Sequence, residues 1–142
     1  MKIMVVDDHP LCLEGMRLIL DKLGSNVELL IAHSCTTAVD LMDAHSDVNL
    51  ILLDLRLPDA DGFTLMTASF ERIPQAPVVI LFASTRRSDM QQALAAGAKG
   101  FICKSSPPSV VLNALNLVLA GGIYTPGDDT GIPAHGGKKP WA

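Results

Sequence analysis

Residues 48–53 read VNLILL, an apolar run broken only by Asn49, and the run stops directly at Asp54. A strand with one wet face alternates apolar and polar residues. One without alternation is covered on both faces, as in a parallel sheet layered by helices. Four further short, largely apolar runs have the same character, at residues 2–6, 27–32, 78–83 and 100–103. Between them lie stretches of helical period. Pro10 suits the first turn of a helix carrying Leu11, Gly15, Leu18 and Ile19, with Gly24 as its stop. Ser34 can cap a second helix whose apolar positions are Ala38, Val39, Leu41 and Met42. Pro58 and Gly62 punctuate the loop before a third helix over residues 63–72. Ser88 or Asp89 can cap a fourth over 90–96, ended by Gly97, and Ser106-Pro107 opens a fifth that runs to about residue 120. Five strands alternating with five helices predict a three-layer α/β sandwich on a parallel sheet, with helices on both faces.

Composition narrows the class. A chain of 142 residues, 49% hydrophobic and 18% charged, fits one globular domain and excludes a disordered or fibrous one. The net charge of −4 argues against this stretch gripping nucleic acid by itself. No apolar run approaches the roughly 18–20 residues needed to cross a bilayer. The start, MKIMVVDDHP, turns acidic too early for a signal peptide, so a cytoplasmic location is expected. Cys12, Cys35 and Cys103 are odd in number and form no C-x-x-C, which predicts reduced thiols without metal. His9, His33, His45 and His135 are scattered and are expected to lie outside any site. From residue 122 to 142, Gly, Pro, Asp and Lys dominate, with Ile123, Tyr124 and Trp141 as sparse apolar anchors. That texture predicts a linker or disordered tail after a domain spanning residues 1–121. Lys138-Lys139 within it is too short for a nucleic-acid patch.

In parallel sheets, functional groups gather where the carboxyl ends of the strands meet the loops. Asp7 and Asp8 follow the first strand, Asp54 the third, Ser84 and Thr85 the fourth, and Lys104 the fifth. Three carboxylates at one edge repel each other. A hard divalent cation such as Mg²⁺ resolves that repulsion. Asp54 would then be an oxygen nucleophile for acyl-phosphate formation, and Lys104 a compact charge for a phosphoryl oxygen. Taken alone, Asp7-Asp8 reads equally as a helix N-terminal cap.

The motifs VVDDHP at residues 5–10, LLDLRLPDADG at 52–62 and AGAKGFICKSS at 96–106 resemble the receiver domain of two-component response regulators, in the LuxR/NarL-type group. The resemblance covers roughly residues 2–120. It implies a flavodoxin-like five-stranded parallel sheet of order 2-1-3-4-5 and a signalling switch rather than an enzyme. By it Asp54 is the phosphoacceptor, supplied by a sensor histidine kinase. Mg²⁺ is held by Asp8, Asp54 and the backbone carbonyl of Arg56, with Asp7 acting directly or through water. Lys104 contacts the phosphoryl group, and Phe101 is an aromatic switch residue. VLAGGIYTP at residues 118–126 resembles the end of such receivers, where a linker leads to a helix-turn-helix DNA-binding domain; these residues are expected to be either a piece cut before that domain or a stand-alone receiver. The resemblance further implies homodimerisation on activation, through the fourth helix, fifth strand and fifth helix or through the first and fifth helices. Val110, Val111, Leu115 and Val118 are the candidates for that surface, although most of them should be core. No membrane contact is implied.

One position departs from the pattern. Receivers carry Thr or Ser at the end of the fourth strand, and counting back from Gly97 and Lys104 places Phe82 there, without a hydroxyl. Three expectations stay open: weak or rewired coupling to output, Ser84 or Thr85 reaching the phosphoryl group instead, or a phosphorylation-independent interaction module. An aspartate-nucleophile phosphohydrolase would want an acid/base Asp two residues after its nucleophile. His9, Pro10 and Arg56 stand two residues after Asp7, Asp8 and Asp54.

Overall fold

The computed structural model describes residues 1–24, 26–83 and 87–126. The apolar runs are strands and the periodic stretches are helices. They follow the order β1 (Lys2–Val6), α1 (Pro10–Leu20), a 3₁₀ turn (Asp21–Leu23), β2 (Glu28–Ala32), α2 (Cys35–Ala44), β3 (Leu50–Asp54), α3 (Gly62–Arg72), β4 (Val78–Phe82), α4 (Arg87–Ala95), β5 (Gly100–Cys103) and α5 (Pro108–Leu119). The five strands form one parallel sheet in the order β2-β1-β3-β4-β5. This is the expected flavodoxin-like arrangement. β3 starts at Leu50 rather than at residue 48 and takes in Asp54 as its last residue. Among the described residues no helix is long and apolar enough to cross a membrane.

Successive strand side chains point to opposite faces, and here both sets are apolar. Met4, Val6, Ile51, Leu53, Val78, Ile80, Phe82, Phe101 and Cys103 pack with α2, α3 and α4. Ile3, Val5, Leu50, Leu52, Val79, Leu81 and Ile102 pack with α1 and α5. Double coverage explains why β3 and β4 are buried along their whole length.

One helix face differs from expectation. α1 buries Leu13, Met16 and Leu20, while Leu11 and Leu18 are 88% and 68% exposed. Leu11, Gly15 and Leu18 do share a helical stripe, but it points outward. The spacing alone left the phase of the helix open, and contact with the sheet chose the other stripe. In α5, Val111, Leu115 and Val118 are core, as expected of most of those candidates, and Leu117 is the more exposed residue.

α4 already starts at Arg87, so Ser88 and Asp89, expected as its caps, lie within it. Two other local signals hold. Ser34 Oγ accepts from the Thr37 N–H at 3.2 Å and caps α2. Gly97 follows α4 with φ +113°, a left-handed conformation that a side chain rarely adopts. Tyr124, assigned by composition to the linker, instead pairs with the edge of β5. Its carbonyl accepts from the Phe101 N–H at 3.1 Å, and its N–H donates to the Lys99 carbonyl at 3.0 Å. The expectations for Ser84 and Thr85, and for residues 127–142, fall outside the described residues.

Gly62 fixes the start of α3 against the end of β3. A Cβ there would stand 2.9 Å from the Asp54 carbonyl oxygen and 3.1 Å from Leu55 Cα, both backbone atoms that cannot swing aside. Gly62→Ala should therefore cost about 1–3 kcal/mol of stability, read as a lower urea midpoint at unchanged slope.

Candidate functional site

Because every strand runs the same way, residues that follow the strands meet at one edge. Asp7 lies just past β1, its N–H donating to the Ala32 carbonyl at 3.0 Å, and its side chain is fully buried. Asp54 ends β3 and is buried as well, whereas Asp8 faces solvent. Lys104 follows β5, its N–H bonded to the Phe82 carbonyl at 2.7 Å. The Lys104 ammonium reaches Asp7 Oδ2 at 2.8 Å and Asp54 Oδ2 at 3.0 Å. Four of the polar residues expected at strand ends, Asp7, Asp8, Asp54 and Lys104, are thus brought together.

A fifth residue joins them. His9 was expected to lie apart, yet its Nδ1 sits 2.8 Å from Asp7 Oδ1, 3.3 Å from Asp8 Oδ1, 3.4 Å from Asp54 Oδ2 and 3.0 Å from Lys104 Nζ. In one tautomer Nδ1 donates to Asp7, and in the other it accepts from Lys104. The His9 N–H also donates to Asp7 Oδ1 at 2.8 Å. His9 is the N-cap residue of α1, with no side-chain cap bond. Asp7 therefore ties down the turn without capping the helix. Ligand-type oxygen or nitrogen atoms of Asp7, Asp8, His9 and Asp54 all lie within 4.8 Å of one another. The signal for His9 was its place one residue beyond the Asp pair; comparing its spacing with the other histidines hid it.

A cavity of about 400 Å³ opens beside this cluster, lined by Asp8, His9, Asp54, the loop residues Leu55, Arg56, Leu57 and Pro58, and by Phe82 and Ala83. Arg56 donates its N–H to Asp54 Oδ1 at 3.2 Å. Phe82 supplies the apolar wall. Its ring is buried and stacks on Phe101, with centroids 4.6 Å apart and planes at 25°.

Three carboxylates face one ammonium, and the titration of the buried groups reflects it. Burial, helped by the Asp7 charge, pushes the Asp54 carboxyl above the ordinary range despite Lys104 and the Arg56 N–H. Burial works the same way on Asp7, but the Lys104 ammonium, the Cys12 thiol and the His9 N–H together hold it below that range. Lys104 loses solvation, yet Asp7 and Asp54 raise its pKa and keep it charged. Burial and the adjacent Asp7 push the Cys12 thiol up to about 12, so it is a hydrogen-bonding neighbour of Asp7 rather than a nucleophile.

Fold and edge cluster together define a doubly wound α/β protein with an acidic site at the carboxyl ends of its strands. Residues 3–116 match the response regulator receiver domain family, and the chain belongs to that family. It is 35% identical to the glycerol metabolism activator of Pseudomonas putida over 127 residues, covering 89% of this chain and 58% of that protein. It is 33% identical to the nitrate/nitrite response regulator protein NarP of Escherichia coli, covering 80% of this chain and 53% of that one. The chain thus spans little more than half the length of these curated relatives. Among solved structures it resembles a LuxR family DNA-binding response regulator from Silicibacter pomeroyi, at TM-score 0.77 and 30% identity over 88% of this chain and 96% of that one. The receiver domain of the putative NarL of Mycobacterium tuberculosis is similar at TM-score 0.73 and 30% identity, over 84% and 96%. Its relatives are thus LuxR/NarL-type regulators.

The raised pKa of Asp54 has a defined sign. An acid whose pKa is higher folded than unfolded stabilises the fold below its unfolded pKa and loses that contribution as pH rises through the folded value. Asp7 acts oppositely, its contribution present above its unfolded pKa and lost as pH falls through the folded one. At neutral pH without divalent ions, Asp54→Asn should therefore raise the melting temperature by about 2–6 °C, the shift that roughly 1 kcal/mol produces in a domain of this size. Differential scanning calorimetry in a chelator checks it.

Proposed function

We propose that this chain is the receiving half of a phosphorelay switch, in which a sensor histidine kinase transfers a phosphoryl group to Asp54 with Mg²⁺ present. The observation that carries this reading is the meeting of Asp7, Asp8 and Asp54 beside a cavity, with the Lys104 ammonium bridging the two buried carboxylates. The donor set suits a hard divalent cation. Three carboxylates against one ammonium leave a local excess of negative charge, and their oxygens are the ligands that Mg²⁺ favours. Asp8, Asp54 and the Arg56 carbonyl would hold the ion, with Asp7 acting directly or through water. When bound, it offsets the charge between the attacking carboxylate and the incoming phosphoryl group.

Asp54 then acts as an oxygen nucleophile. Its carboxylate forms the O–P bond as the P–N bond to the donor's histidine breaks. The departing imidazole nitrogen keeps the bonding pair and takes up a proton. Lys104 stays charged and within reach of Asp54, placed to meet a phosphoryl oxygen. The LuxR-type relatives support the wider reading: a cytoplasmic receiver that homodimerises on activation and controls transcription through a DNA-binding domain outside residues 1–121.

A second reading follows from Phe82. It presents a ring, stacked on Phe101, where a hydroxyl would otherwise face the phosphoryl group. A domain so built could bind its partners without phosphorylation. Intact-mass measurement after incubation with a small-molecule phosphodonor separates the two. Wild-type protein with Mg²⁺ should gain one phosphoryl adduct, while Asp54→Asn and metal-free samples gain none. A folded wild type that stays unmodified would support the phosphorylation-independent module.

A further inference from the structure

A helix begins with N–H groups that have no partner inside the helix, and a side chain beside it in sequence usually accepts from them. α2 departs from this. Ser34 takes the Thr37 N–H, but the Cys35 and Thr36 N–H groups donate to Asp59 Oδ1 and Oδ2, at 2.8 and 3.1 Å. The Thr36 hydroxyl adds a third bond to Asp59 Oδ2 at 3.0 Å. The two ends of this clasp are 24 and 23 residues apart in the chain. A carboxylate at a helix N-terminus also meets the positive end of the helix dipole. The bonds from the Cys35 and Thr36 N–H groups hold the Asp59 carboxyl below the ordinary range.

Asp59 belongs to the loop between β3 and α3, directly after Leu55, Arg56, Leu57 and Pro58, which line the cavity beside Asp54. The base of that loop is closed by the Gly62 N–H on the Leu55 carbonyl at 2.8 Å and the Leu57 N–H on the Ala60 carbonyl at 3.1 Å. Its inner edge is tied to the site by the Arg56 N–H on Asp54. The outer tip is tied through Asp59 to a different helix.

We propose that Asp59 is a positioning residue for the site: by clasping the N-terminus of α2 it holds the loop, and with it Arg56 and Pro58, at the spacing from Asp54 that a cation and phosphoryl group require. The proposal rests on the reading of the site as a cation and phosphoryl site. Loss of the clasp leaves Asp7, Asp8, Asp54 and Lys104 in place but lets the loop that walls their cavity move. Residues that orient ligands from outside the coordination sphere typically change metal affinity by 10–100-fold.

Ser34→Ala is the matched control, because it removes a cap bond from the same helix end without touching the loop. Amide hydrogen exchange and Mg²⁺ titration, both followed by NMR, are compared across wild type, Asp59→Ala and Ser34→Ala. Both variants should exchange faster in the first turn of α2. Asp59→Ala alone should speed exchange at the Leu57 and Gly62 amides by about tenfold and weaken Mg²⁺ binding by about tenfold. Loop amides in Asp59→Ala that exchange as in wild type would overturn the proposal. So would Ser34→Ala weakening Mg²⁺ binding equally. A wild type that binds no Mg²⁺ would remove the reading of the site as a cation site, and the loop amides would still decide whether the clasp holds the loop.

Discussion

The Lys104 ammonium, held between Asp7 and Asp54, is the interaction on which the arrangement of the site depends. β1 and β3 are neighbours, but β5 is adjacent to neither: β4 stands between β5 and β3. At about 4.8 Å per strand, the ends of β5 and β1 are roughly 14 Å apart. A long lysine stem from one side and an aspartate from the other can close that gap only if the strands end level. The backbone secures this. The Lys104 N–H bonds the end of β4 at the Phe82 carbonyl, and the Leu55 N–H bonds the Leu81 carbonyl. A parallel sheet buried on both faces thus offers its polar residues one way out, and the ammonium gathers them there. Removing the Lys104 ammonium would leave two buried carboxylates uncompensated, which is strongly destabilising.

Opposite the charges stands an apolar wall. Phe82 and Phe101 come from adjacent strands on the face that carries α2, α3 and α4, and their stacking joins the ends of β4 and β5. Such pairs contribute about 0.5–1.5 kcal/mol beyond their burial. One side of the cavity is therefore charged and hydrogen-bonded, and the other presents the apolar Phe82 ring packed on Phe101. The loop from Leu55 to Pro58, which runs on to Asp59, lines a third side. The site is assembled from charge pairing, aromatic packing and a shared helix cap, each supplied by different strand ends and loops.

The sheet was legible because runs such as residues 48–53 lack alternation, and double burial is the one common reason for that in a soluble chain. The strand-end carboxylates and Lys104 were legible because each follows its run directly. The face of α1 was not, since Leu11, Gly15 and Leu18 satisfy helical spacing as well as Leu13, Met16 and Leu20 do. Only the sheet beneath decides between the stripes. His9 was hidden by its lack of a histidine or cysteine partner in sequence, although its real partners are carboxylates brought in by folding. Asp59 gave no signal at all. It is exposed and sits in a turn-rich loop, and its partners are backbone N–H groups on another helix.

The pairing of Tyr124 with β5 carries a consequence for aggregation. β5 lies at the margin of the sheet, and a bare margin of unpaired backbone groups is a template on which another chain can add a strand. Here the segment leaving α5 turns back and occupies the Lys99 carbonyl and the Phe101 N–H, so the domain shields its own border. Trimming the chain at Gly121, where composition alone would set the boundary, strips off that cover. The resulting fragment would keep its helices and its charged site, yet expose a sticky seam that self-associates for reasons unrelated to signalling.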